Sequence, residues 1–107
     1  MRKVRYPVAQ VKDFVPDTGK TFPLGADGEC LIVLHKDTWH AVGSLCPHQN
    51  SPLDGATAED GCLTCKRHGY RFSLKDGDCQ TIGGYGLPVY EVDIADESVY
   101  VTVWEFD

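Results

Sequence analysis

Long apolar runs are missing from this 107-residue chain. The longest, Cys30-Leu31-Ile32-Val33-Leu34, is strand-sized and far short of the ~20 residues that cross a bilayer. No membrane contact is expected. The start, Met1-Arg2-Lys3-Val4-Arg5-Tyr6-Pro7, is basic but leads into no apolar core. It does not read as a secretory signal, and the expected location is cytoplasmic. Basic residues are also scarce: 10 Lys and Arg face 16 Asp and Glu, for a net charge of −6. Nucleic-acid binders carry the opposite bias, so nucleic acid is excluded as a partner class. The acidity either favours a partner with a basic docking face or serves solubility alone. An even cysteine count is lacking too. Five cysteines (Cys30, Cys46, Cys62, Cys65 and Cys79) with no export signal argue against a disulfide scaffold and for metal or redox chemistry.

Helical periodicity, internal repeats and low-complexity tracts are absent as well. What is present alternates or runs short, as strands do. Cys30 to His35 reads as a buried strand, Lys36-Asp37 as a turn, and Thr38 to Val42 as the returning strand. Tyr6 to Val11 has strand character, with Pro7 limiting it to an edge or an end. Asp13 to Gly19 reads as a loop or one helical turn. From Ser44 to Gly61, turn formers punctuate the chain and predict a loop region. Cys62 to Cys65 and Tyr70 to Ser73 are short strand candidates, and Asp76-Gly77 signals a two-residue hairpin. Gly83-Gly84-Tyr85-Gly86 is a glycine-rich loop with no following lysine or helix start, so it is not a phosphate loop. Leu87 to Ile94 alternates, with Leu87, Val89, Val92 and Ile94 as its apolar set. Asp96-Glu97 turns the chain into a last strand, Val99 to Trp104. The expectation is a single all-β domain over 1–107: a small antiparallel β-sandwich or barrel with long loops in its middle.

Chemistry concentrates in two short motifs. Cys46-Pro47-His48 and Cys65-Lys66-Arg67-His68 are separated by sixteen residues, Gln49 to Thr64. Each supplies one thiolate and one imidazole. Thiolates hold iron strongly and add charge; neutral imidazoles hold it without adding any. Two loops that each carry one of both can close on a shared centre from opposite sides. The same four residues also make a plausible Cys₂His₂ zinc site, and Cys62-Leu63-Thr64-Cys65 is a C-x₂-C pair. A thioredoxin-like reading of that pair fails for want of a βαβ unit. Cys30, Cys62 and Cys79 read as small core residues. His35 and His40 have no ligand partner at motif spacing and read as structural or surface residues, and Trp39 and Trp104 as packing residues.

The C-x-H and C-x-x-H pair resembles the Rieske [2Fe–2S] family, and its surroundings agree. Pro52-Leu53 and Gly55 follow the first motif, His68-Gly69-Tyr70-Arg71-Phe72 resembles the family's H-G-x-x-F stretch, and Leu87-Pro88-Val89-Tyr90-Glu91-Val92 resembles its third loop and outgoing strand. The resemblance implies a Rieske-like β-sandwich or barrel with a cluster-binding loop subdomain at about 44–88. It implies one [2Fe–2S] cluster, with Cys46, His48, Cys65 and His68 as cofactor and metal ligands and no catalytic residue. His48 and His68 would form the electron exit, ringed by Pro47, Gln49, Leu53, Tyr85 and Pro88. Some relatives brace the two loops with a disulfide; here the matching positions are Ser51 and Arg67. High-potential members place Ser and Tyr hydroxyls where this chain has Tyr70 and Phe72. The expected function is a low-potential, monomeric one-electron carrier between a flavin-containing NAD(P)H reductase and a terminal oxygenase. The small subunit of an assimilatory NAD(P)H nitrite reductase is the second reading, and a zinc-binding module the third.

Overall fold

In the computed structural model, residues 2–25, 28–47, 50–67 and 69–105 are described. They form β1 (Arg2–Gln10), a 3₁₀ turn (Val11–Asp13), β2 (Lys20–Leu24), β3 (Gly28–His35), β4 (Thr38–Gly43), β5 (Leu45–Cys46), β6 (Ser51–Pro52), β7 (Thr57–Glu59), β8 (Cys62–Thr64), β9 (Arg71–Ser73), β10 (Val89–Ala95) and β11 (Ser98–Glu105). The strand pairings among the described residues are antiparallel. A six-stranded sheet runs β1-β11-β10-β4-β3-β2, while β5-β6 and β7-β8-β9 form two small sheets. The large sheet curls until its edge strands β1 and β2 meet. The all-β expectation holds.

The apolar run in β3 has a specific cause. Cys30 and Ile32 point into one core, with Leu24, Ala41, Val99 and Val101. Leu31 and Val33 point into a second core, with Val42, Cys46, Leu53, Leu63, Cys65, Phe72, Leu74 and Leu87. A strand covered on both faces needs apolar residues at consecutive positions rather than alternate ones. The large sheet therefore wraps the first core, and the two small sheets cover the second.

Turns follow local chemistry. Lys36 and Asp37 both have positive φ (51° and 61°), as do Asp96 and Glu97 (49° and 65°) and Asp60 and Gly61 (51° and 78°). Positive φ at both central residues is what a two-residue type I′ hairpin requires, because its twist matches that of the flanking strands. The Asp60-Gly61 hairpin joins β7 to β8 inside a stretch that reads in the sequence only as loop. Asp76-Gly77 departs from expectation. Only Gly77 is left-handed, and the chain reverses over 74–77, with the Ser73 N–H donating to the Asp78 carbonyl. Three further differences come from tertiary pairing. β2 is an unexpected strand, with Pro23 tolerated because β2 is an edge, as Pro7 is in β1. In β10, Tyr90 and Val92 pack on the first core, which leaves Val89 outside; Ile94 lies at the open end of the sheet and is also exposed. Cys62 and Cys79 are only half-buried, and Cys79 lies in an isolated bridge to Phe72 rather than in a strand.

The aromatic and histidine residues set aside in the sequence take structural places. Trp39 meets Phe14 edge-on at 4.9 Å, and Trp104 lies on the outer face beneath Lys3. Cys30 is fully buried, and burial first, then the neighbouring Glu29 charge, pushes its thiol up to about 11. His40 is held below the ordinary histidine range, chiefly by burial and then by the proximity of His35, against a hydrogen bond its ring donates to the Leu74 carbonyl. The unfolded chain takes up this proton near pH ~6.5, whereas the folded chain resists it. Stability should therefore fall as pH drops below about 6.5 and level off beneath the depressed folded value. Urea unfolding between pH 7.5 and 5 should show this decline, and His40→Gln should flatten it; an unchanged pH profile in that variant would remove His40 as its source.

Candidate metal centre

Cys46 ends β5, a strand of two residues whose partner is β6; Cys46 and Ser51 face each other across that pair. Asn50, directly before β6, is in the left-handed region (φ 53°). Cys65 directly follows β8. Its N–H donates to the Tyr70 carbonyl, and its carbonyl accepts the Gly69 N–H (2.8 and 2.9 Å), closing a tight loop over 65–70 in which Gly69 takes a φ of 72°. Both cysteines thus stand at strand ends.

The two loops share one core. Cys46 and Cys65 are each 1% exposed and lie in the same apolar cluster, walled by Leu53, Leu63, Phe72 and Leu87. Neither is disulfide-bonded. Two buried thiols at strand ends in one apolar core fit the thiolate half of a Rieske donor set. His48 and His68, the expected imidazole half, lie outside the described residues. Among the described residues no group of three or more His, Cys, Asp or Glu side chains converges. Ser51 is buried opposite Cys46, and Arg67 is exposed, so the loops carry no disulfide at those positions. Phe72, completely buried, brings no hydroxyl to the site.

Leu53 departs from the expected rim. It is 1% exposed and forms part of the wall, because its N–H is drawn in to the Ser44 carbonyl. Of the other expected rim residues, Tyr85 and Pro88 are exposed, Pro47 is half-buried, and Gln49 lies outside the described residues.

A third loop closes the arrangement. The rings of Tyr70 and Tyr85 lie 6.3 Å apart at 48°, and the Cys79 N–H donates to the Tyr85 carbonyl. Pro88 rests on Gly43, where a Cβ would lie 2.8 Å from the proline ring. Gly77 is the tightest point. Its carbonyl accepts the Leu87 N–H at 2.8 Å, and a Cβ there would stand 2.0 Å from the Leu87 carbonyl oxygen. Sequence reading marked Gly77 only as a turn glycine; its close approach to Leu87 has no local signature.

The loop subdomain is tied to the sheet through residues 17–19. Gly19 and Ala58 N–H groups donate to Ala56 and Asp17 carbonyls, and the Gly55 N–H to the Gly19 carbonyl, all at 2.8 Å. His35, buried at the end of β3, extends the tie. Its Nε2 accepts the Gly61 N–H at 2.9 Å, which leaves the proton on Nδ1 to be donated to Asp17 at 2.7 Å. His35 is structural, as expected.

Comparison with known proteins agrees with this geometry. The Rieske [2Fe-2S] domain family model matches residues 4–91. Human apoptosis-inducing factor 3 is 33% identical over 99 residues, covering 92% of this chain and 16% of that protein. The ferredoxin component of the alkene monooxygenase system of Xanthobacter autotrophicus is 38% identical over 71 residues, covering 65% of this chain and 57% of that one. The chain therefore spans only part of the length of both relatives. Among solved structures, a Mycobacterium tuberculosis protein assigned as the small subunit of an NADH-dependent nitrite reductase superposes with a TM-score of 0.89 at 18% identity, over 99% of this chain and 100% of that one. The ferredoxin of carbazole 1,9a-dioxygenase from Nocardioides aromaticivorans superposes at 0.82 and 21% identity, over 92% and 96%. The chain belongs to the Rieske [2Fe–2S] domain family, and its cofactor is a [2Fe–2S] cluster.

Gly77 and Gly61 offer a matched test of the third loop. Both have positive φ, but nothing lies within 4 Å of a Cβ at Gly61. Gly61→Ala should cost roughly 1–2 kcal/mol, the ordinary left-handed penalty. Gly77→Ala should cost clearly more and weaken cluster retention. Equal costs in urea unfolding would mean the Leu87 approach contributes nothing.

Proposed function

We propose that this chain is a one-electron carrier, a low-potential Rieske ferredoxin whose cluster is held by Cys46, His48, Cys65 and His68. The cluster supplies reversible one-electron chemistry when bound. The observation that carries the reading is the pair of buried thiols of Cys46 and Cys65, not disulfide-bonded, at two strand ends within one apolar core. The apolar wall of Leu53, Leu63, Phe72 and Leu87 keeps water from the Cys46 and Cys65 sulfurs. No substrate-sized pocket is needed for that task, which is the sense in which the chain is a component of an oxidoreductase system rather than a catalyst.

The proposed partners are a flavin-containing NAD(P)H reductase as donor and a terminal oxygenase as acceptor. The support is likeness to the alkene monooxygenase ferredoxin, 38% identical over 71 residues. The small subunit of an NAD(P)H nitrite reductase is the second reading. The M. tuberculosis structure matches the whole chain, but at 18% identity the match speaks for the fold alone.

The residues around the thiols set the expected potential. Hydrogen bonds to cluster and cysteine sulfur spread negative charge and favour the reduced state. Phe72 contributes none, so the midpoint should lie towards the lower end of the Rieske range, about −150 mV rather than about +300 mV. Phe72→Tyr should raise it by on the order of tens of millivolts. Freshly purified protein should contain iron and acid-labile sulfide in equal amounts and take up one electron per cluster in an anaerobic titration. Zinc without sulfide would replace the carrier with the zinc-module reading, and a midpoint above about +100 mV would contradict the account of Phe72.

A further inference from the structure

Charge is unevenly distributed over this acidic chain. The three loops around the buried thiols, 47–53, 66–70 and 81–88, contain no carboxylate, and their only Lys or Arg residues are Lys66 and Arg67. Both are exposed. Lys66 is directed towards Gly55, just past the first loop, with its Nζ 2.9 Å from where a Cβ there would stand. A third exposed cation, Arg71, begins β9 directly after the second loop. Its cross-strand row is Thr64 and Thr57, so no acid faces it in the sheet. Among the described residues none of the three cations has an ion-pair partner. Glu59 and Asp60 lie at the opposite end of the same small sheet, around the β7–β8 turn. Asp54, just past the first loop, is engaged by the Thr21 N–H.

Resting on the electron-carrier reading above, we infer that Lys66, Arg67 and Arg71 form the docking surface for a redox partner protein whose own entrance is rimmed by Asp and Glu. Net charge alone leaves a basic partner face and simple solubility both open; its distribution points to an acidic partner face. At physiological salt, charges are screened over about 8 Å. A partner in contact with the second loop therefore feels these cations at close range, while Asp54 beside Gly55 and Asp78 beside Gly86 are the acids that lie against the loop region. Such complementarity acts mainly on encounter rate and orientation.

Two double variants separate location from net charge. Lys66→Glu/Arg67→Glu and Lys12→Glu/Lys36→Glu each lower the net charge by the same four units, and Lys12 and Lys36 are exposed at sites away from the three loops. A fluorescein-labelled decaglutamate should bind the wild-type protein and the Lys12/Lys36 variant alike, by anisotropy at about 0.1 M salt, where screening extends ~10 Å. It should bind the Lys66/Arg67 variant several-fold more weakly. Equal weakening in both variants, or no binding to the wild type, overturns the proposal. Tighter binding of a labelled oligothymidylate through Lys66 and Arg67 overturns it in favour of a nucleic-acid surface. A second readout uses the reduced protein, which passes one electron to hexacyanoferrate(III), giving hexacyanoferrate(II), or to hexaammineruthenium(III), giving the ruthenium(II) ion. The Lys66/Arg67 variant should be slower with the anion and faster with the cation, the other variant less changed in both; identical changes in the two variants count against the surface. If wild-type reduced protein delivers electrons to neither reagent, the carrier reading fails, and the decaglutamate arm still decides the surface.

Discussion

The structure depends on β3 being covered on both faces. Cys30 and Ile32 close the core inside the curled sheet, while Leu31 and Val33 form the floor under the loop subdomain. The short strands β5 to β9 are two or three residues each, too short to be stable as isolated sheets in water. Their stability comes from burying Leu53, Leu63, Phe72 and Leu74 against Leu31, Val33 and Val42. The buried thiols are held by the same packing, so the core that stabilises the subdomain is also the wall of the site.

Polar ties fix how the subdomain sits on that floor. Residues 17–19 exchange backbone hydrogen bonds with 55–58, and neutral His35 spans from Asp17 to Gly61. Where other members of the family can use a disulfide between loops, Ser51 and Arg67 offer none here. Close backbone approach stands in its place. Gly77 against Leu87 and Gly43 against Pro88 draw the third loop in towards the first two, and the Tyr70–Tyr85 contact joins the second loop to the third.

What could be read from the sequence was what local chemistry determines. The Cys30 to His35 run had to be a buried strand, the Lys36-Asp37 and Asp96-Glu97 pairs had to turn, and C-x-H with C-x-x-H at this spacing named the family. What escaped was determined by contacts distant in sequence. β2 is a strand because β3 offers it an edge, not because Lys20-Thr21-Phe22-Pro23-Leu24 alternates. The Asp60-Gly61 hairpin was lost among neighbouring turn formers. Leu53 is wall rather than rim because Ser44 draws its backbone inward. Val89 is outside because the pairing of β10 with β4 turns Tyr90 to the core. The special need for glycine at position 77 arises from a carbonyl ten residues away in the chain.

The cluster and the family are secured by the match over residues 4–91; the ligand assignment carries the rest of the functional reading. It requires one thiolate and one imidazole from each loop, with the two imidazoles on one iron. Pulsed EPR of the reduced protein addresses that requirement directly. The account predicts electron spin echo modulation from two directly bound histidine nitrogens, with one coupling lost or altered on substituting either His48 or His68. A reduced cluster with no strong nitrogen coupling, or couplings that survive both substitutions, would contradict it.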